Sequence, residues 1–311
     1  MKIRVISDLH IDVNEGFPFS IDKNGRDIYS IIAGDVSGHP KLTERWIKTN
    51  IHQGCFVAGN HDPVYNKSGD TIGKQKEYLH KKFGIDSDVT FLDESVGVMS
   101  KEIPNTDILV VGSTLYTDYK YTSFEVEDAV KYNMGRAVRR MNDFAWGRIE
   151  DESADGKQRH LSPSDYLDWF NKTFARITEL VESNKDKEII VVTHHCPTPL
   201  CISEEYVGND MNASYISDLE GFITSHPNIK AWCCGHVHHC GFFELGDNHT
   251  LIVCNPRGYE QEFGCSHWNP NTFIDTDTWK IVTEPYEPTP KLKMAREAAY
   301  DRFMSLAGFF F

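Results

Sequence analysis

Short apolar runs, many of them rich in β-branched residues, recur along the chain, and each is followed by a group of Asp, His, Asn or Gly residues. The runs that matter most lie at 3–6, 28–33, 56–58, 189–192 and 231–234. Short buried runs of this type predict strands of a parallel or mixed sheet. Because the carboxyl ends of parallel strands meet at one edge of an open α/β sheet, we expect the polar groups that follow them to lie together.

The alternation of strands and polar groups stops between residues 114 and 187. Apolar residues recur at helical spacing over 125–141 and 166–181, with Ser164 as the expected N-cap of the second helix. We predict a helical insertion here, placed to act as a substrate lid. Its aromatic residues are expected to pack it onto the body rather than to stack on a nucleobase: Tyr116, Tyr119, Tyr121, Phe144 and Trp146.

The rest of the chain predicts one large domain over residues 1–285. Residues 272–274 and 279–282 indicate two further strands, which we assign to a second sheet that closes a sandwich. Residues 286–311 predict a linker followed by an amphipathic helix with an aromatic end, and the sequence does not decide whether that end docks on its own body or on a partner.

Composition narrows the class of protein. The 311 residues are 40% hydrophobic and 25% charged, as in an ordinary globular protein, and the net charge of −14 disfavours a broad surface for nucleic acid. No apolar stretch is long enough to span a bilayer, and the first strand begins directly after Met1, so we expect a cytoplasmic protein that does not contact membranes. The eight cysteines lack paired spacing, so we expect reduced thiols and no separate zinc site.

Five motifs follow the apolar runs and carry the candidate chemistry. They are Asp8-Leu9-His10, Gly34-Asp35, Gly59-Asn60-His61-Asp62, Thr193-His194-His195 and Gly235-His236-Val237-His238. Asp8 and His10 are two residues apart, so an extended segment places both on one face, and His236 and His238 repeat that spacing. Carboxylate, amide and imidazole donors together suit Mn, Fe, Zn or Ni better than Mg or Ca. The motifs therefore predict two adjacent divalent ions, which one aspartate can bridge.

These motifs, in this order, resemble the pattern of the calcineurin-like metallophosphoesterase superfamily, which is D-x-H, G-D, G-N-H-[D/E], a His after a strand, and G-H-x-H. The resemblance implies two ligand groups that share a bridging Asp35: Asp8, His10, Asp35 and His238 for one metal, and Asp35, Asn60, His194 and His236 for the other. Three further segments are similar to a bacterial and phage branch of phosphohydrolases, for which the resemblance implies no particular substrate: Thr114-Leu115-Tyr116, Asp143-Phe144 and Asn255-Pro256-Arg257-Gly258-Tyr259.

The resemblance also implies roles for residues that are not ligands. His61 would contact the scissile phosphate and protonate the leaving oxygen. Asp62 would hold the turn and help to orient His61. His195 and the ligand Asn60 are candidates for substrate contact, and Arg257 is either a phosphate-binding side chain or part of a surface ion pair.

One departure from the superfamily excludes a subgroup. Protein Ser/Thr phosphatases continue G-D with x-x-D-R-G, whereas here Gly34-Asp35 is followed by Val36-Ser37-Gly38-His39-Pro40. The acidic partner that those phosphatases use to orient the catalytic His is missing, so a protein phosphatase of the calcineurin type is not expected.

The sequence therefore predicts a four-layered α/β/β/α sandwich with two mixed sheets and the metals along one edge. The predicted activity is hydrolysis of phosphate esters by a hydroxide held between two metals, with a preference for small phosphodiesters or nucleotides. The alternatives are a phosphomonoesterase, a nuclease, and a partner-binding scaffold on the same fold. The expected substrate is a small phosphate ester or nucleotide, nucleic acid is less favoured, and the oligomeric state is not predicted.

Overall fold

A computed structural model describes residues 1–14, 28–64, 69–151, 157–259, 262, 265, 267–287, 293–294 and 297–298. The strands are β1 (Lys2–Ile6), β2 (Tyr29–Ala33), β3 (Gln53–Val57), β4 (Val89–Phe91), β5 (Ser100–Glu102), β6 (Ile108–Gly112), β7 (Arg148–Glu150), β8 (Gln158–His160), β9 (Glu188–Val192), β10 (Ile229–Cys234), β11 (Gly241–Leu245), β12 (Thr250–Cys254), β13 (Thr272–Asp275) and β14 (Lys280–Thr283). The helices are α1 (Pro40–Asn50), α2 (His61–Val64), α3 (Ile72–Lys82), α4 (Ala129–Arg140), α5 (Asn142–Trp146), α6 (Pro163–Ser183) and α7 (Glu220–Ser225).

Two six-stranded mixed sheets form the centre of the protein. The first has the order β14-β13-β1-β2-β3-β4, in which β1 to β4 are parallel and β13 and β14 are antiparallel to their neighbours. The second has the order β11-β12-β10-β9-β6-β5, with a parallel centre and antiparallel edges. The two late strands extend the first sheet beside β1, so their predicted place in a second sheet was wrong.

Alternate residues of both sheets meet in one core. Val5 and Ile31 of the first sheet and Val110, Val192 and Cys233 of the second belong to the same fully buried cluster. Side chains alternate between the two faces of a strand, so the residues between them point outward to the helices. The two sheets therefore pack face to face, as the sequence predicts.

Helices cover both outer faces. On the first sheet, Trp46 and Ile47 of α1 and Leu79 of α3 pack with Ile32 and Phe56. On the second, Phe170, Ile177 and Val181 of α6 and Ile223 of α7 pack with Val191. The four-layered α/β/β/α sandwich with two mixed sheets is thus confirmed.

Helix α6 has a different place from the one the sequence suggests. It lies between β6 and β9 in the chain, and these strands are parallel neighbours, so α6 is the crossover of a β-α-β unit and an outer layer of the sandwich. It is not part of a lid. Its N-cap is Ser162 rather than Ser164, because the Asp165 carboxylate accepts hydrogen bonds from the N–H and the hydroxyl of Ser162 at 2.8 and 2.6 Å.

The remainder of the predicted insertion packs on the body through its aromatic residues. Tyr116, Tyr119 and Phe144 are buried in one cluster with Tyr166, which confirms packing as their role, whereas Trp146 is 64% exposed. Most of the predicted C-terminal helix lies outside the described residues. Among the residues that are described, no helix combines the length and the apolar character needed to cross a membrane.

Candidate metal centre

The five motif loops meet at one edge of the sandwich, where five parallel strands end. Asp8 and His10 follow β1, Asp35 follows β2, and the Asn60-His61 loop follows β3. From the other sheet, His194 follows β9 and the His236–His238 turn follows β10. Backbone hydrogen bonds join the loops: Asp8 N–H donates to the Gly34 carbonyl at 3.0 Å, and Gly235 N–H donates to the His194 carbonyl at 2.9 Å.

The backbone of these loops differs from the predicted extended form. Asp8, His10, Asp35, His236 and His238 all have φ between 43° and 68°, which is the left-handed region that non-glycine residues rarely adopt. Each such residue costs about 1–3 kcal/mol and persists only where the surroundings enforce it. The expectation that alternation along an extended strand presents these side chains was therefore wrong. They reach the site from left-handed turns instead.

In the described part of the chain, three groups of Asp and His side chains lie close enough to hold an ion, and two of these groups, the triads, consist only of residues predicted as ligands. The first comprises Asp8, His10 and His238, and the second comprises Asp35, His194 and His236; within each triad the candidate ligand atoms lie within 4.8 Å of one another. In the first triad, His238 Nε2 is 3.3 Å from Asp8 Oδ1 and 3.0 Å from His10 Nε2. Two imidazole nitrogens that face each other beside a carboxylate are arranged as ligands of one cation.

Asp35 connects the two triads. Its Oδ2 atom is 3.2 Å from His194 Nε2 in one triad and 3.9 Å from His10 Nε2 in the other. Its Oδ1 atom accepts the His61 N–H at 2.8 Å, which fixes the orientation of the carboxylate. The side chain that the resemblance assigns as a bridge therefore lies within 4 Å of a histidine from each triad.

Two motif glycines permit this close packing. A Cβ atom at Gly59 would lie 1.9 Å from Asp35 Oδ1, and a Cβ atom at Gly235 would lie 2.4 Å from Asp8 Oδ2. Neither contact is tolerable, so each carboxylate occupies space that only glycine leaves free. The glycines of these motifs are thus explained by the carboxylates they accommodate.

An outer set of hydrogen bonds orients the ligands. His194 Nδ1 bonds to the Ala33 carbonyl at 2.8 Å, and His238 Nδ1 bonds to the Glu262 carboxylate at 2.6 Å, so in both rings Nε2 faces the site. The side-chain amide of Asn60 donates to Asp143 Oδ1 at 2.8 Å, while Asn60 Oδ1 is 3.1 Å from His194 Nε2.

Asp143 and Glu262 bond to candidate ligands, and the sequence did not assign this role to either of them. The hydroxyl of Tyr166 also donates to Asp143 Oδ1, at 2.7 Å, so this buried carboxylate is fixed between two donors. Asp143 was part of a recognised segment but had no assigned role, and no pattern in the sequence marks Glu262.

Burial and charge set the ionisation of the site. Burial alone would raise the pKa of Asp35, but the charges of His194 and His61 outweigh it and hold that pKa well below its ordinary value. Burial alone would lower the pKa of His194, but the Asp35 carboxylate raises it to about 9. Burial lowers the pKa of His10 to about 3 and that of His236 well below its usual range. The site thus combines an ionised carboxylate that attracts cations with two neutral imidazoles, His10 and His236, whereas His194 has to lose its proton before it can ligate an ion.

His61 and Asp62 occupy different environments. The ring of His61 is half-buried at the site and lies edge-on to His10, with ring centroids 4.8 Å apart. The buried Asp62 carboxylate accepts the N–H groups of Asp35, Ser37 and Gly59 at 2.8–3.0 Å. Asp62 therefore joins two motif loops through their backbone, and its predicted help in orienting His61 stays a prediction.

His195 and Arg257 were both candidates for substrate contact. His195 is fully buried, its ring lies 4.2 Å from that of His236, and in the described part of the chain neither of its ring nitrogens has a hydrogen-bond partner. Arg257 is buried and donates to the Leu9 carbonyl at 3.0 Å. It therefore bonds to the loop between Asp8 and His10, and its predicted contact with phosphate stays a prediction.

The donor set fits divalent transition metals. Each triad combines one carboxylate with two imidazoles, and Asn60 adds an amide oxygen, which is the mixed oxygen and nitrogen environment that Mn, Fe, Zn and Ni accept. His236 Nε2 is buried and lacks a hydrogen-bond partner among the described residues, as expected for an atom whose partner is an ion.

Comparison with known proteins agrees with this arrangement. A family model described as calcineurin-like phosphoesterase matches residues 1–240. No curated protein matched the sequence. Among solved structures, a phosphopantetheinyl hydrolase from Mycobacterium tuberculosis has a TM-score of 0.59 at 16% identity, covering 83% of this chain and 89% of that one. A dimetal phosphatase from Danio rerio has a TM-score of 0.45 at 11% identity, covering 82% and 86%. The first likeness supports the fold alone.

Proposed function

Because this chain belongs to the calcineurin-like phosphoesterase family and is therefore an enzyme that hydrolyses phosphate esters, we propose that it acts on small phosphodiesters, nucleotides among them, with two divalent metal ions. The proposed ligands are Asp8, His10, Asp35, Asn60, His194, His236 and His238. The observation that carries the proposal is the position of Asp35 Oδ2 between two separate triads. When bound, two such ions supply a nucleophilic hydroxide at neutral pH and offset charge on the phosphoryl oxygens.

His61 is the proposed proton donor to the leaving alkoxide. A general acid has to reach the substrate and has to be held in place. The half-buried ring of His61 meets the first requirement, and the hydrogen bond from its backbone N–H to Asp35 meets the second. The ring also lies next to His10 and Asp35, where it offers a nitrogen within ligand distance, so the test of its role has to separate proton donation from metal binding.

The proposed preference for diesters rests on charge. A phosphomonoester carries more negative charge than a diester, and the protein has a net charge of −14. Arg257 donates a hydrogen bond to the Leu9 backbone. Two arginines of α4 are paired with a carboxylate, since Arg136 bonds to Asp210 and Arg140 lies 3.5 Å from the same side chain. A monoanionic diester needs fewer cationic side chains than a dianionic monoester, so it suits this site better.

We also propose that residues 114–151 and 157–161 contribute to the substrate side of the site, as the remaining part of the predicted lid. Asp143 from this segment contacts Asn60, so the segment and a proposed ligand are joined by one hydrogen bond. Helix α6 is excluded from this role because it is a layer of the sandwich.

The first test is hydrolysis of bis-p-nitrophenyl phosphate against p-nitrophenyl phosphate by metal-stripped protein to which Mn, Ni, Zn, Fe or Mg is returned. We expect metal-dependent turnover with kcat/KM for the diester at least about tenfold higher, a difference of ~1.4 kcal/mol. Preference for the monoester would overturn the diester assignment. Single-stranded DNA serves as the comparison for a nuclease, which the negative charge disfavours.

A further inference from the structure

Four thiols meet in the apolar core directly behind the turn that carries His236 and His238. They are Cys196, Cys201, Cys234 and Cys254, and all four have no exposed surface. They come from different parts of the chain: Cys196 lies in the loop after β9, Cys201 ends the short 3-10 turn Pro199–Cys201, and the other two end β10 and β12. We call them the thiol cluster.

Three of the four thiols lie close enough together to hold a metal ion. The Sγ atoms of Cys196, Cys201 and Cys234 all lie within 4.8 Å of one another, and the Cys201 and Cys234 sulfurs are 3.9 Å apart. Two thiolates that each lie about 2.3 Å from a tetrahedral zinc ion are about 3.8 Å apart. Cys254 is the strand partner of Cys234 in the β10–β12 register, so a fourth thiol lies beside the three.

The thiol cluster and the candidate metal centre share one turn. The Cys196 thiol donates to the Gly235 carbonyl at 3.0 Å, and the Cys254 sulfur is 3.9 Å from the same oxygen. On its other side, Gly235 faces the Asp8 carboxylate. The two clusters are therefore neighbours, but the thiol cluster has sulfur donors inside an apolar environment, whereas the Asp and His residues line the cleft.

We propose that Cys196, Cys201 and Cys234 form a thiolate site for a zinc-type metal ion, with Cys254 as the fourth ligand. Thiolates select Zn²⁺ and other soft ions over the ions that carboxylates prefer, so this site differs in chemistry from the one around Asp35. Each thiol that binds loses its proton. Zn²⁺ and four thiols thus give a tetrathiolate zinc site of charge −2 and four protons, with no change in oxidation state.

Burial gives the site a property that can be tested. Because all four sulfurs are inaccessible to solvent, an ion enters while the chain folds and stays bound when the ions in the open cleft are removed by a chelator. We therefore expect purified full-length protein, expressed with zinc and dialysed against a chelator, to retain about one zinc per chain, the number that one tetrahedral site holds.

Zinc X-ray absorption on that dialysed protein identifies the donors. We expect a sulfur shell at about 2.3 Å, which the Asp and His centre has no sulfur to supply. Retained zinc with only nitrogen and oxygen neighbours, or no retained zinc, would overturn the proposal. A Cys201–Cys234 disulfide, detected as a mass lower by two hydrogens, would also overturn it. None of these readouts depends on phosphoesterase activity, so they test the zinc site separately from the proposed function.

Substitutions locate the sulfur shell within the chain. Cys201→Ala should abolish zinc retention, or at least lower the sulfur count by one. Cys233→Ala is the matched control, because Cys233 is equally buried on β10 but faces the core between the sheets, and it should leave the sulfur shell unchanged. If Cys201→Ala does not fold, Cys254→Ala replaces it, with the loss of one sulfur neighbour as the expected result. An unchanged sulfur shell in a folded variant of either kind would place the zinc elsewhere.

Discussion

The two sides of Gly235 show how one strand end can serve two kinds of chemistry. On the cleft side are oxygen and nitrogen donors with a left-handed backbone. One of them, the buried Nε2 atom of His236, has no hydrogen-bond partner among the residues that the structure describes. On the core side are thiols among apolar side chains, and the thiol of Cys196 donates a hydrogen bond to the Gly235 carbonyl. The donors on the cleft side are accessible for catalysis, whereas those on the core side are not.

Backbone strain distinguishes the cleft side of Gly235 from the buried core side. Five proposed ligands hold a backbone conformation that costs about 1–3 kcal/mol each, which points to an arrangement set by chemistry rather than by local preference. No cysteine of the thiol cluster has such a conformation. We therefore expect substitutions in the cleft to lower catalytic activity strongly and substitutions in the thiol cluster to lower it little.

Asp35→Asn should have the largest effect. The variant loses the charge between the two triads, so both cleft ions should be lost and kcat/KM should fall by about 10,000-fold or more, which corresponds to ~5.5 kcal/mol. Metal analysis and hydrolysis of bis-p-nitrophenyl phosphate measure the two effects. Zinc held by the thiol cluster should remain. Loss of sulfur-bound zinc in this variant would contradict the claim that the two regions bind metal independently.

His61→Ala should leave both cleft ions in place and lower the rate by about 100- to 1,000-fold, the usual range for loss of a general acid. The loss should be smaller with a p-nitrophenyl ester than with an alkyl ester, since a good leaving group needs less protonation. Both expectations are checked by measuring the hydrolysis rates of the two esters and the metal content of the variant. If metal content falls with the rate, His61 is a ligand and its assigned role is wrong.

The proximity of the proposed ligands could be predicted from the sequence because each follows a strand, and their role as ligands stays a prediction. Asp8, Asp35 and His194 stand directly after apolar runs, so local pattern and strand order suffice to bring them together. The sandwich followed from the same reasoning. The left-handed turns did not, because spacing alone does not distinguish an extended segment from a turn.

Other features depend on contacts that sequence pattern does not contain. Asp143 is 83 residues from the Asn60 that it orients, and Glu262 is 24 residues from His238. Helix α6 was recognised as a helix, but its period does not say whether its apolar stripe faces a sheet or a cleft. The thiol cluster was missed because its members come from separate strands and turns, without the paired spacing that marks a zinc motif.

Asp143→Asn should have an intermediate effect. Residues that orient a metal ligand typically contribute about 10- to 100-fold to metal affinity or activity, and Asp143 fixes the amide of Asn60. Titration of metal-stripped protein with Mn should show the weaker binding. Tyr166→Phe removes only one of the two hydrogen bonds to Asp143, so it should lose about fivefold, or ~1 kcal/mol. Equal losses in the two variants would contradict a role through Asn60.

Cys201→Ala should have the smallest effect on catalysis. We expect kcat/KM to fall by no more than about fivefold, or ~1 kcal/mol, because the thiol cluster acts on the cleft only through the Gly235 turn. A lower melting temperature should accompany loss of the sulfur-bound ion, whereas Cys233→Ala should keep that ion. Loss of the cleft ions in Cys201→Ala would show that the two regions are one unit.

The most direct test of the central claim is anomalous diffraction from crystals of the full chain soaked in manganese. We expect two anomalous manganese peaks about 3.5–4 Å apart, one on each side of the Asp35 carboxylate. The first should lie near His10 and the second near His194. A single peak, or two peaks that Asp35 does not separate, would contradict it.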